Sequence, residues 1–387
     1  MKKIHLKGIS GVLRKKELKN VMEEYVLSMF RFFCISIIAS LLLSCSKTKQ
    51  GNLLEIPIDI YQHNSLPLTE ITEEITAIEL ELTDESMIGP VIQGIILLRN
   101  EVFIATLNQI LVFNKTGKFI RSIGSQGQGP REYTYIHNLA LDEKNQRLFI
   151  SSANRKIISY DLNGNFLKEK LLPELFIDDI NYFNKELLLL ANNTDSDSMG
   201  VYSRSIIYQL NDDFQFVDSC TIRDLNFEGS STISLLGTQD FLLKGNKSFY
   251  LYYGDVFLRD NLSEKVLRDT LYRFENTRLI PELKLQFKND RVGKFIHLTS
   301  IYRSSRYIFG TYFNSDERRE YTFCYDTKTG KGYNTQGFSD DINQIEKQVH
   351  IRPFNLDTEM FYYLYTHIKP NDLEEPNPTL YIGKLKK

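Results

Sequence analysis

Two stretches of the chain repeat one another at a fixed distance, and this recurrence limits the fold more than any other feature of the sequence. Val102-Phe-Ile-Ala followed by Ile110-Leu-Val-Phe-Asn-Lys-Thr-Gly-Lys-Phe-Ile120 comes back as Leu148-Phe-Ile-Ser followed by Ile157-Ile-Ser-Tyr-Asp-Leu-Asn-Gly-Asn-Phe-Leu167. Phe113 and Gly117 return as Tyr160 and Gly164, a shift of 47 residues for both pairs. That period suits a unit of four short strands and exceeds most helical repeats. Between the copies lies Gly124-Ser-Gln-Gly-Gln-Gly-Pro-Arg-Glu-Tyr133, which reads as the connection from one finished group of strands to the next. Gly124, Gly127 and Gly129 are expected to supply positive φ in a structural turn, with Pro130 stiffening its exit. The order G-x-x-G-x-G, without a following lysine or helical pattern, does not suit a phosphate loop.

The same layout extends along the chain. Phe113, Tyr160, Tyr208, Tyr272, Tyr325 and Tyr381 mark six units, spaced 47, 48, 64, 53 and 56 residues apart. The longest interval carries an insertion around Gly254 to Arg268. Within a unit the strands are short and joined by tight turns such as Asn114-Lys-Thr-Gly117 and Asp161-Leu-Asn-Gly164, which are hairpin signals. The 25 Phe and 22 Tyr, with no Trp, also favour strands. The last unit is one strand short, whereas Ile75-Thr-Ala-Ile-Glu-Leu-Glu-Leu82 alternates apolar with polar residues and has no unit of its own. Joining the two closes a ring and removes free sheet edges. The expected fold is therefore all-β, a six-bladed β-propeller of four-stranded antiparallel blades closed by an N-terminal strand. A two-sheet sandwich fits neither the strand count nor the period.

The N-terminal region reads as an address. Seven basic residues precede the apolar run from Met29 to Leu43, which is short for a membrane-spanning helix and suits a signal-peptide core. The run ends Leu42-Leu43-Ser44-Cys45 and resembles the lipobox of bacterial lipoproteins, in which the cysteine is lipidated. On this reading residues 1–44 are signal peptide, with Met1 or Met29 as the start, and 45–70 a tether from lipid on Cys45. Residues 71–387 are the propeller, held at the cell envelope with the outer membrane as first choice. Beyond residue 44 the chain has 39 basic and 46 acidic residues, which gives no basic face for nucleic acid. Cys220 and Cys324, two units apart, read as free thiols although an envelope location permits a disulfide.

Lys118-Phe-Ile-Arg-Ser-Ile-Gly-Ser-Gln-Gly-Gln-Gly-Pro-Arg-Glu-Tyr133, followed by Leu139-Ala-Leu-Asp142, resembles the signature of six-bladed propeller lipoproteins of gut Bacteroidetes, distant relatives of NHL-repeat and TolB-like propellers. Asp269-Thr-Leu-Tyr272 and Asn377-Pro-Thr-Leu-Tyr-Ile-Gly-Lys-Leu385 carry the resemblance further. It implies the fold and the lipid anchor but no generally assigned reaction.

Chemistry is sparse in the sequence. His63, His137, His297, His350 and His367 are scattered without metal-ligand spacing, so no metal or cofactor is expected. The doublets Asp178-Asp179, Asp212-Asp213, Asp340-Asp341 and Glu374-Glu375 put adjacent carboxylates on opposite strand faces and read as loop or turn residues. No Gly-x-Ser-x-Gly elbow occurs. Candidate binding residues are Arg131, in the glycine-rich connection, and Tyr252 and Tyr253, whose rings would stack on sugar or grip a partner if exposed; packing between blades is the competing role. Two functions follow. The first is a non-catalytic, lipid-anchored binding or scaffold protein with a glycan or envelope-protein partner. The alternative is an envelope lyase or hydrolase acting on glycans or lactones at the central channel.

Overall fold

The computed structural model describes residues 53–196, 200–228, 233–234, 241–254, 256–257, 267–288, 296–368 and 375–387. The expected signal segment, Cys45 and most of the expected insertion near Gly254 lie outside the described residues. Asn52–Lys387 is one compact unit, and it is a six-bladed β-propeller. Blade 1 comprises Ile92–Leu98, Glu101–Thr106, Ile110–Asn114 and Phe119–Ser122, from the inner strand outward. Blade 2 follows with Ile136–Asp142, Arg147–Ser152, Lys156–Asp161 and Phe166–Leu171. Blade 3 has Ile177–Phe183, Glu186–Ser196, Gly200–Leu210 and Phe216–Glu228. Blade 4 has Leu242–Lys244, Phe249–Tyr252, Thr270–Glu275 and Arg278–Lys288. Blade 5 has Ile296–Arg303, Tyr307–Asn314, Arg319–Asp326 and Lys331–Thr335. Blade 6 is built from both ends of the chain: Arg352–Pro353, Met360–Tyr365 and Thr379–Leu385, with Thr72–Glu79 as its outermost strand. The six aromatic markers all fall on third strands.

The turns between third and fourth strands show why the repeat is visible in the sequence. Asn114 Oδ1 accepts from the amides of Thr116 and Lys118 at 2.9 and 3.0 Å. Asp161 Oδ1 accepts from Asn163 and Asn165 at 2.9 and 2.8 Å, and Asn211 Oδ1 from Asp213 and Gln215 at 2.9 Å each. A short side-chain acceptor thus closes the same turn in three successive blades. Cations on the outer strands then hold the second and third of these turns to the blade before. Arg121 donates to the Leu162 carbonyl, Lys170 to that of Phe214, and Lys168 pairs with Asp213 at 2.5 Å.

The segment expected as a tether needs correcting at its end. Leu54–Asp59 is a fifth strand of blade 4, parallel to Arg278–Lys288 over six residue pairs. Its Ile56 and Ile58 are 1% and 0% exposed. A single-turn helix, Leu68–Ile71, follows with Leu68 and Ile71 buried. An edge strand accommodates Pro57, which lacks an amide proton to donate. Between blades 5 and 6 lies a hairpin the repeat did not announce, Phe338–Asp340 with Ile345–Val349.

The glycine-rich connection is a turn, but its constraint sits elsewhere than expected. Of its glycines only Gly124 has positive φ, 66°. A Cβ there would lie 2.7 Å from Tyr160 Cζ and 3.0 Å from Tyr133 Cε1. Gly127 and Gly129 do not use the left-handed region, and Arg131 takes it instead, at φ 67°. What crowds Gly127 is the Glu132 carboxylate, 1.9 Å from where its Cβ would sit, and that same carboxylate accepts from the Gly129 amide at 2.9 Å.

Two stability measurements check these assignments. Gly124→Val should cost on the order of 1–3 kcal/mol or more, since strain and collision with Tyr160 add. Gly129→Val should cost about 1 kcal/mol or less, because the mobile end of Glu132 can yield; equal losses for the two would refute the distinction. Ile58→Ala should cost about 2–5 kcal/mol as a core truncation. A denaturation midpoint unchanged by that substitution would return residues 54–59 to the tether.

Candidate functional site

The inner strands of the blades wall the central channel, and four of them carry the same irregularity. The pairing with the second strand skips one residue between Ile92 and Gly94, Ile136 and Asn138, Ile177 and Asp179, and Leu298 and Ser300. Such bulges add a residue and re-aim the side chains beside it. Gln93, His137, Asp178 and Thr299 are the extra residues. Gly94, Asn138, Asp179 and Ser300 follow them at equivalent positions.

At two of these positions the side chains end up very differently. Asp179 is buried and fully engaged: Oδ1 accepts from the Ile180 amide at 2.7 Å, and Oδ2 from the amides of Phe241 and Leu242 at 2.9 and 2.7 Å. With Asn181 Nδ2 donating to the Leu242 carbonyl at 2.9 Å, it stitches blade 3 to blade 4. Asn138 is 7% exposed, and its Oδ1 has no hydrogen-bond donor among the described residues. Burial lowers the pKa of His137 against a hydrogen bond to the Asp178 backbone that raises it, so its imidazole is neutral at pH 7.

A strap closes the channel where the inner strands finish. After Arg352–Pro353 the chain runs across from blade 6 to blade 4, and the Leu356 amide donates to the Lys244 carbonyl at 2.8 Å. Asp357 then locks it. Its Oδ1 accepts from Arg303 Nε and its Oδ2 from the Tyr250 hydroxyl, both at 2.7 Å. Arg303 also donates to Tyr250 at 2.6 Å and to Glu282 at 2.8 Å. Burial works against the Arg303 charge, but Asp357 and Glu282 outweigh it and raise its pKa. Burial, aided by the bond to Asp357, pushes the Tyr250 hydroxyl up to about 12. The remaining cavity, about 210 Å³, touches the inner strands of all six blades and Phe354 to Leu356 of the strap.

The candidate binding residues named from the sequence, Arg131, Tyr252 and Tyr253, are not among those lining this cavity, whereas Asp179 of the first acidic doublet is. Arg131 sits in the connection between blades 1 and 2, its guanidinium 5.3 Å above the Phe166 ring and its amide donating to Glu169 at 2.9 Å. Tyr252 and Tyr253 are 1% and 6% exposed, so neither ring is a binding platform. The Tyr252 hydroxyl donates to the Leu298 carbonyl at 2.6 Å, while that of Tyr253 meets Ser205 Oγ at 2.7 Å and accepts from Arg223 at 3.0 Å. Two acidic doublets are structural: Asp212 pairs with Arg147 at 2.6 Å, and Asp340 caps the turn at Asn343. Cys220 and Cys324 are free thiols. Among the described residues no three His, Cys, Asp or Glu side chains are placed to hold a metal ion. The sequence missed Asn138, the strap residue Asp357 and its blade 5 partner Arg303. Only the position of Asn138 near the start of a unit hinted at an inner strand.

A Bacteroides fragilis protein named as an exported protein superposes with a TM-score of 0.62 at 17% identity, over 86% of this chain and 100% of that one. The Neurospora crassa Pan2 WD40 domain gives a TM-score of 0.42 at 10% identity, over 76% of each chain. No curated protein matches in sequence. A family model does match, across residues 54–387 and so across the whole propeller including the fifth strand of blade 4. The chain belongs to the family described as domain of unknown function DUF4934.

Proposed function

We propose that the protein is a lipid-anchored propeller of the bacterial cell envelope that acts as a non-catalytic binding or scaffold protein. The observation that carries the non-catalytic reading is that the acids nearest the channel, Asp179 on its wall and Asp357 on the strap, are both engaged in the fold. Asp179 is saturated by three backbone amides. Arg303, Asp357 and Tyr250 hold the strap. A carboxylate already bonded to amides is a poor general base, and an acid/base pair would need a second group within reach of the same substrate. The exported name of the Bacteroides fragilis neighbour supports an envelope location. The anchor rests on Leu42-Leu43-Ser44-Cys45 and on the resemblance to six-bladed lipoproteins of the NHL and TolB kind. A glycan or an envelope protein is the partner class.

Cys45→Ala should move the protein from the membrane to the soluble fraction with its melting temperature unchanged, since residue 45 precedes the folded unit. A variant that stays in the membrane fraction after signal removal would sink the anchor. The non-catalytic reading fails separately, if the purified protein turns over polysaccharide or lactone substrates and His137→Gln or Asp178→Asn abolishes that turnover.

A further inference from the structure

We infer that the groove between blades 3 and 4 receives an arginine side chain presented by a partner protein, held by Glu186 and Asp218. This rests on the binding reading above and gives a protein partner its docking point. Equivalent positions in successive blades lead to it. Glu101, Arg147 and Glu186 each open a second strand, and Arg121, Lys168 and Asp218 each follow the bulge of a fourth strand. In blade 1 the two positions are complementary. Arg121 forks onto Glu101 at 2.7 and 2.9 Å and reaches across to the Leu162 carbonyl of blade 2 at 2.6 Å. In blade 2 both positions are cations, and they meet Asp212 and Asp213 on the turn of blade 3 at 2.6 and 2.5 Å. Blade 3 keeps the acid and lacks the cation, because Asp218 stands where Arg121 and Lys168 do.

The space this leaves between blades 3 and 4 is a groove of about 560 Å³. On its blade 3 wall Glu186 is half-buried and Asp218 exposed, so a guest reaches both carboxylates. Asp218 accepts from the Ser219 amide at 2.7 Å, and neither acid pairs with a cation among the described residues. Arg273 on the blade 4 wall is committed to Glu275 and Glu282, at 2.5 Å each. The lining holds Lys247 and Arg273 against the carboxylates of Glu186, Asp218 and Glu275, so one further positive charge balances it. The facing turn of blade 4 is the tight pair Asn276-Thr277, at φ 49° and 57°, where blades 1 to 3 carry longer turns. Phe183, Leu188 and Phe274 give apolar wall for an aliphatic stem. A guanidinium suits this place better than an ammonium, since it bonds a carboxylate with two parallel N–H groups and keeps others for the turn beyond. In blades 1 and 2 that cation arrives on a strand of polypeptide, and the groove offers the same approach to a second protein.

The test titrates the purified full chain by calorimetry with a capped pentapeptide of glycine and serine around a central arginine. Counterparts carry citrulline or lysine at the centre, and free arginine and spermidine are run beside them. The arginine peptide should bind saturably, one per chain, and less tightly as salt rises. The lysine peptide should bind more weakly, and the citrulline peptide, which lacks the charge, not at all. Glu186→Gln should weaken binding at least about fivefold with the melting temperature unchanged. Asp218→Arg should rebuild the blade 1 arrangement inside the chain, so that peptide binding is lost and the protein melts no lower than wild type. Silence of the arginine peptide at millimolar concentration overturns the proposal, as does equal binding of the citrulline peptide or affinity unchanged in either variant. An Asp218→Arg protein that melts lower also overturns it, since the groove then does not accept a guanidinium beside Glu186. Free arginine or spermidine binding as tightly as the peptide removes the protein partner, and a wild-type dimer that Asp218→Arg dissolves gives the groove to a second copy instead. None of these outcomes depends on membrane fractionation or on turnover.

Discussion

Everything in this propeller depends on the pairing of Thr72–Glu79 with Thr379–Leu385. Seven register pairs join residues some 300 positions apart and turn a row of blades into a ring. Without them blade 6 would keep an open edge, and the stacked faces of blades 6 and 1 would lose their alignment. The closure is reinforced on both sides. Asn377 donates to the carbonyls of Glu81 and Ser86 at 2.8 Å, and Lys386 Nζ donates to that of Thr69 at 2.7 Å. The strap across the channel is a second closure of the same kind, since it ties blade 6 to blades 4 and 5 through one aspartate and one arginine.

The ring itself was legible in the sequence because it repeats. Each third strand carries an aromatic marker and three of the turns use the same acceptor chemistry, so the period survives even where strand lengths change. What escaped notice does not repeat. Leu54–Asp59 pairs in parallel with a strand more than two hundred residues away, and its Pro57 looks like a tether residue until the edge position is known. The inner strand of blade 6 is only Arg352–Pro353, too short to leave a pattern.

The site was far less legible. Whether a side chain on an inner strand spends itself on backbone or faces the cavity depends on a bulge and on the neighbouring blade, and neither is written locally. Asn138 and Asp179 hold equivalent positions, yet one is bonded on both oxygens and the other is not bonded on its Oδ1. Tyrosine density left two roles open. Tyr252 and Tyr253, binding rings if exposed and packing residues otherwise, are packed between blades, with hydroxyls bonded to Leu298 and Ser205.

The added strand of blade 4 also has a mechanical meaning. Leu54–Asp59 is held along its length by the evenly spaced, slanted rungs of a parallel pair, all on one neighbour, Arg278–Lys288. A pull directed back along the chain from Leu54 runs parallel to the strand and loads the rungs together, in shear, instead of peeling them one at a time. The ring-closing strand lies farther along the chain and carries no tension until that patch has slipped. A propeller tugged by its N-terminal end would thus meet resistance at blade 4 first, with its ring still shut.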